Sequence, residues 1–183
     1  QKKEIFDTFE SRWESSRSFL SDAHREYDEG VKFVNGAQWH PDDERQRTSD
    51  PNNPRPCYVF NKTKRISKRI SNGVRQANLG FKAVPVDGAA DPLIAEIYNT
   101  IIKKIEQDNN SINVRQAGFD SALNGGLGFW RIYDEWDGDD SFDKRIVVKR
   151  IVDVKSVSWD KSSIEPDLSD SEWFSIHTVK PLD

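Results

Sequence analysis

The order of residue patterns predicts an α+β fold, in which a long N-terminal helix and further helices pack with a small antiparallel sheet. Three observations carry this. Residues 4–34 hold one unbroken apolar periodicity of three and four. Shorter stretches of the same period follow up to residue 126. After residue 127 the pattern changes to short β-branched and aromatic runs separated by Asp- and Gly-rich turns. The helical part, 1–126, and the mainly β part, 127–183, read together as one structural unit.

The first helix is set by Phe6, Phe9, Trp13, Ser16, Leu20, Ala23, Tyr27, Gly30 and Val34, a heptad-like seam. At 1.5 Å per residue it runs roughly 45 Å, longer than a small domain is wide. The small residues Ser16, Ala23 and Gly30 leave room for a partner helix, within the domain or on another subunit. In "FVNGAQWHP" (33–41), Gly36 stands where a left-handed helix end belongs, and Trp39 is expected to be a buried anchor. Residues 40–56, with four prolines, several acids and no periodicity, read as a surface loop.

Asn61 can cap a second helix, 61–78, with Ile66, Ile70 and Val74 on one side and Lys62, Lys64, Arg65, Lys68, Arg69 and Arg75 over the rest. Phe81–Val86 reads as a short strand. Asp91-Pro92 opens a helix through about Gln107, its inner face Ile94, Ile97, Ile101 and Ile105. Ser111 can cap another, ended by Gly125-Gly126. Phe129–Trp136 and Lys144–Val154 then form a hairpin, and Ser156–Asp160 and Trp173–Val179 are further strands.

Charged residues make up 32% of the 183 and hydrophobic ones 35%, but six Trp and ten Phe supply the burial a fold needs. Such polarity suits a chain that shares surfaces with partners. A net charge of −4 gives no global attraction to nucleic acid. The single cysteine, Cys57, excludes an intrachain disulfide and zinc sites built on several cysteines, and it fits a reducing cytoplasm. No apolar run approaches the roughly 18 residues of a membrane span. The chain has no methionine and begins in helical periodicity, so it is expected to be an excised or processed piece.

No catalytic constellation emerges, and no cofactor or metal is expected. His24, His40 and His177 stand apart and in no zinc-binding pattern. "GGLGFW" (125–130) lacks the Lys-Ser/Thr of a phosphate loop, and it ends a helix and opens a strand, the reverse of the phosphate-cradling order. Asp134, Glu135, Asp137, Asp139, Asp140 and Asp143 do not fit the spacing of a calcium loop and read as a solvated hairpin turn. The basic helix 62–75 is the best nucleic-acid candidate, through phosphate neutralisation, although a solvated helix face or a subunit salt-bridge face is the commoner use of such a pattern.

Taken in order, the segments resemble the N-terminal part of the portal proteins of short-tailed, double-stranded-DNA phages. Tyr27, Phe33, Gly36, Gln38 and Trp39 match a Tyr and Phe before Gly-x-Gln-Trp. Arg55, Pro56 and Asn61 match an Arg-Pro followed by Asn at a helix start, and Arg75, Asn78 and Pro85 match an Arg–Asn pair before an extended segment. Gly126, Gly128 and Phe129 match Gly-x-Gly-Phe at the start of a strand. Asp160-Lys161 departs from the Asp-Pro of the family pattern. The resemblance implies a non-enzymatic subunit of a dodecameric ring at one capsid vertex of the virion, assembled in the bacterial host cytoplasm. Terminase, capsid or scaffold proteins and tail adaptors would be its partners, with double-stranded DNA passing through the ring and no membrane involved. It also implies that this segment belongs to the outer wing region of a longer protein. "FVNGAQW" would then be architecture.

Overall fold

The structure, a computed structural model, describes residues 2–77, 79–86, 91–138, 141–165 and 167–178. Five helices precede two antiparallel two-stranded sheets. Contacts divide the chain, read from sequence as one unit, into two compact units, 1–29 with 152–183, and 30–151.

In the first unit the seam of α1 (Lys2–Asn35) is buried at its middle. Leu20 and Ser16 are each 1% exposed, while Phe6 and Phe9 toward the helix start stay open. The unit also holds a short 3-10 turn, Val154–Ser156, which leads into β3 (Val157–Trp159) and pairs it with β4 (Phe174–Ile176). Val157 faces Ile176, and Trp159 faces Phe174. All three β3 residues are buried. The ring of His177 lies 5.7 Å from Phe9 and 5.5 Å from Trp13, and Lys155 pairs with Asp28 at 2.6 Å, so helix and ribbon share one small core. The seam is therefore occupied by this chain itself at Ser16. Asp160 closes the turn after β3 with its own carboxylate, which accepts from the Ser162 amide at 3.1 Å and the Ser162 hydroxyl at 2.6 Å. A self-closing Asx turn needs no proline to set it, which accounts for Lys161 in the departure from Asp-Pro.

In the second unit α2 (Pro41–Thr48) is a finding the sequence reading misses, since it treats 40–56 as loop throughout. His40 caps it by accepting from the Asp42 amide, Pro41 sits at the first turn, and three acids follow at the positive end of the helix dipole. No residue of α2 is buried, so apolar periodicity could not reveal it. Next come α3 (Lys62–Ala77), α4 (Pro92–Asp108) and α5 (Ser111–Gly125). Asp91 caps α4 as expected. Ser111 does not cap α5. Asn110 holds that position in a left-handed conformation, because only Asn109 and Asn110 join the two helices and the chain must turn sharply; Ser111 lies buried just inside.

The hairpin β1 (Trp130–Trp136) and β2 (Lys144–Arg150) pairs Trp130 with Arg150 through Trp136 with Lys144. The second strand is shorter than expected. The Ile151 amide still reaches the Phe129 carbonyl at 3.3 Å, but Asp153 turns to cap the 3-10 turn. Phe81–Val86 is no strand. The Ala83 amide and carbonyl are both taken by the Asn99 side chain, at 2.8 and 3.1 Å, which satisfies that backbone without a neighbouring strand.

The inner faces of α3 and α4 also differ from expectation. Thr63, Ser67, Ser71 and Val74 turn inward on α3, leaving Ile66 59% and Ile70 45% exposed. Hydrogen bonding decides this register. Ser67 donates to Asn124 and Ser71 to Asp120, both at 2.6 Å, and Gln116, 5% exposed, donates to Ser71 and Asp120. Once these groups leave water they must be paired, so the serine face seats on α5. On α4, Asn99, Ile102 and Ile105 are inward, as is Asn109 just past its end, and Ile94, Ile97 and Ile101 stand half open.

Candidate functional site

The sequence motifs converge on a junction within the second unit. α1 ends at Gly36, whose φ of 114° favours glycine and whose amide donates to the Phe33 carbonyl at 3.1 Å. Gln38 then folds back, its amide nitrogen 3.3 Å from both the Phe33 carbonyl and the Asn61 side-chain oxygen. Asn61 works on two helices at once. Its Nδ2 donates to the Val34 carbonyl at 2.7 Å, covering an unpaired acceptor at the end of α1. Its Oδ1 accepts from the Lys64 amide at 3.0 Å, covering an unpaired donor at the start of α3. Lys64 reaches the Asn35 side chain at 3.4 Å across the same gap.

Trp39 locks the loop onto this junction, though it is half-buried and not the enclosed anchor expected. Its Nε1 donates to the Tyr58 carbonyl at 3.2 Å, and the Arg47 guanidinium lies 4.8 Å from its ring centre. Arg47 also reaches the Pro56 carbonyl, and the Arg55 amide donates to the Arg47 carbonyl, so Arg55-Pro56 runs beside α2. Phe33 is exposed, and Tyr27, in the first unit, is half-buried.

A second cluster surrounds the glycines after α5. Gly126, at φ 89°, ends the helix by donating to Ala122. A Cβ on Gly128 would overlap the Gly118 carbonyl oxygen, and one on Gly118 would come within 2.9 Å of the Trp130 ring. Gly30 is likewise closed by the Asn124 carbonyl at 2.7 Å. Gly126, Gly128 and Phe129 thus lead the chain from α5 into β1, Gly128 pressed against the α5 backbone and Gly126 facing open space.

The sequence reading misses three side chains that tie α4 to its neighbours. Asn99 holds the 81–86 segment. Asn109 bridges the end of α4 to β2, its Nδ2 donating to the Ile146 carbonyl at 3.0 Å and its Oδ1 accepting from the Val148 amide at 3.1 Å. Arg115 on α5 pairs with Glu106 at 2.7 Å, both largely covered, and donates to the Leu79 carbonyl. The signal was thin, since an asparagine near a helix end has many uses.

The chemical candidates disperse. Asp134 and Glu135 point to opposite faces of β1 and meet Lys144 and Arg145 at 2.6 and 2.7 Å; these hydrogen bonds hold both carboxyls below the usual range. Asp137 meets Arg145, and Asp139 and Asp140 lie outside the described residues, as does Asn78. Among the described residues no three His, Cys, Asp or Glu side chains gather as a metal site. Among them, too, no helix is long and apolar enough to cross a membrane. Lys62, Lys64, Arg65, Lys68, Arg69 and Arg75 all stand exposed on α3, with no acid on that helix.

What decides between a chemical and an architectural site is the family model of the phage P22-like portal protein, which matches residues 10–183. The chain belongs to that family. A comparison with curated proteins returns no match. The family is structural, a virion component of the head–tail connector and of DNA packaging. In this portal chain the junction at Asn61 and the glycine cluster at Gly128 fit that role, since each fixes the angle between elements and neither presents a reacting group.

Proposed function

We propose that this chain is the wing region of a dodecameric portal ring. There it supports DNA passage and offers a docking platform for terminase and tail adaptors during packaging and ejection, after assembly in the host cytoplasm. The observation that carries the reading is the family match across 10–183. Exposed surface supports it. Ile94, Ile97 and Ile101 on α4 and Ile66 and Ile70 on α3 are among the side chains left in water. Such faces belong to a subunit that shares them.

Native mass measurement of the full-length parent tests this, with a closed ring expected and a monomer overturning it. The chain itself acts without catalysis, so metal-replete protein should show no nuclease or ATPase turnover. A turnover abolished by substituting one acidic residue would sink that part. The alternative is a nucleic-acid-binding module using α3. The exposed cations favour it, but Ile66 and Ile70 beside them find nothing to bury against on a phosphate backbone.

A further inference from the structure

The outer surface of α3 is two adjacent rows. Lys62, Arg65 and Arg69 form one, at spacings of three and four, and Ile66 and Ile70 form the other. All five are exposed, and none of the three cations has an ion-pair partner among the described residues. Lys64 is different, being engaged at the Asn35 side chain. Three uncompensated cations beside two open isoleucines ask for a partner that is acidic and apolar at the same spacing. The chain carries such a surface. On the first part of α1, Asp7, Glu10 and Glu14 repeat the three-then-four spacing, exposed and without an ion pair among the described residues, and Phe6 lies beside them, 62% exposed. Lys3 and Arg17 bound the row at either end.

We infer that the Lys62–Arg65–Arg69 and Ile66–Ile70 face of α3 docks on the Asp7–Glu10–Glu14 and Phe6 face of α1 in a second copy of this chain. The two surfaces differ, so the contact is heterologous, the kind that propagates head to tail and closes a ring. The charges choose the partner and its register, and the apolar row supplies area to bury. Its biological meaning rests on the portal reading above. Its physical basis is the matched charge and spacing of the two helices.

Light scattering on the 183-residue chain across concentration tests it. Mass should rise with concentration at low salt and fall back toward the monomer in about 0.5 M salt, because exposed pairs are screened. Arg65→Glu with Arg69→Glu should weaken association at least about tenfold, and so should Glu10→Arg with Glu14→Arg, since each turns attraction into repulsion. An equimolar mixture of the two variants should regain association, because each then offers the surface the other needs. That rescue also shows both to be folded. A wild-type chain that stays monomeric at all concentrations overturns the contact, as does association indifferent to either variant or a mixture that stays apart. A monomer that retains duplex DNA through α3, and loses it in the Arg65/Arg69 variant, overturns it in favour of nucleic acid. Full-length parent rings that form with either variant overturn this contact and leave the portal reading standing. A parent that forms no ring overturns the portal reading instead.

Discussion

Asn61 is one amide that serves two helix ends. Removing it exposes the Val34 carbonyl and the Lys64 amide together, so Asn61→Ala should cost about 1–3 kcal/mol in chemical denaturation. Asn61→Asp separates the two roles, because a carboxylate still accepts from Lys64 but cannot donate to Val34; it should recover part of the loss. Trp39→Ala removes a half-buried ring and one hydrogen bond, and about 1–3 kcal/mol is the expected loss, less than full enclosure would give. Gly128→Ala forces a methyl onto the Gly118 carbonyl, backbone against backbone, and should lower the melting temperature more than any exposed substitution. His24 makes a pH prediction. Burial, then the charge of Lys155, hold its imidazole below its ordinary value, with Asp153 and Asp28 opposing. The unfolded chain takes the proton first as pH falls. Stability is therefore complete above about 6.5 and declines as pH drops through the lower folded value. Thermal melts between pH 7.5 and 5.5 should show that decline, and His24→Gln should flatten it.

At the scale of elements, α3 shows why apolar spacing can mislead. Ile66, Ile70 and Val74 are the row a sequence offers as the inner face, yet serines at 67 and 71 turn inward with only Val74 of the three isoleucine-row residues. The choice lies in residues about fifty positions away, where Asp120 and Asn124 on α5 present acceptors at the right height. Asp120→Ala should therefore loosen α3 on α5, leaving the Ser71 hydroxyl without its acceptor at about 1–3 kcal/mol. Hydrogen exchange in α3 would report it, and unchanged protection there would contradict the polar ladder as its anchor. Helix α2 was invisible for a different reason. It buries no residue, so only its cap and the order of its charges mark it, and those signals are short.

For the whole molecule, the isoleucines left open on α3 and α4 are what bind fold to role. Open isoleucines on α3 and α4 should bind a hydrophobic dye in the native 183-residue chain, and that signal should fall on assembly of the full-length ring. Native dye binding no stronger than that of an ordinary compact protein would show that these faces are closed in solution. The two compact units divide the labour, one built on the buried centre of the α1 seam and the β3–β4 ribbon, the other on the α5 glycines and the β1–β2 hairpin.

Local chemistry was legible from the sequence. The long α1 seam, the Asp91-Pro92 start of α4, the glycine end of α5, the hairpin and the Asn61 cap each follow from residues within a few positions of one another, because turns, caps and periodicity are short-range constraints. The ordered set of motifs also pointed to the portal family. Tertiary structure alone decided which side of α3 and α4 faces inward, that 81–86 is held by Asn99 without becoming a strand, and that Trp39 is only half covered. Those outcomes depend on acceptors, donors and surfaces brought together from distant positions, and a buried polar group takes whichever partner the fold places within reach.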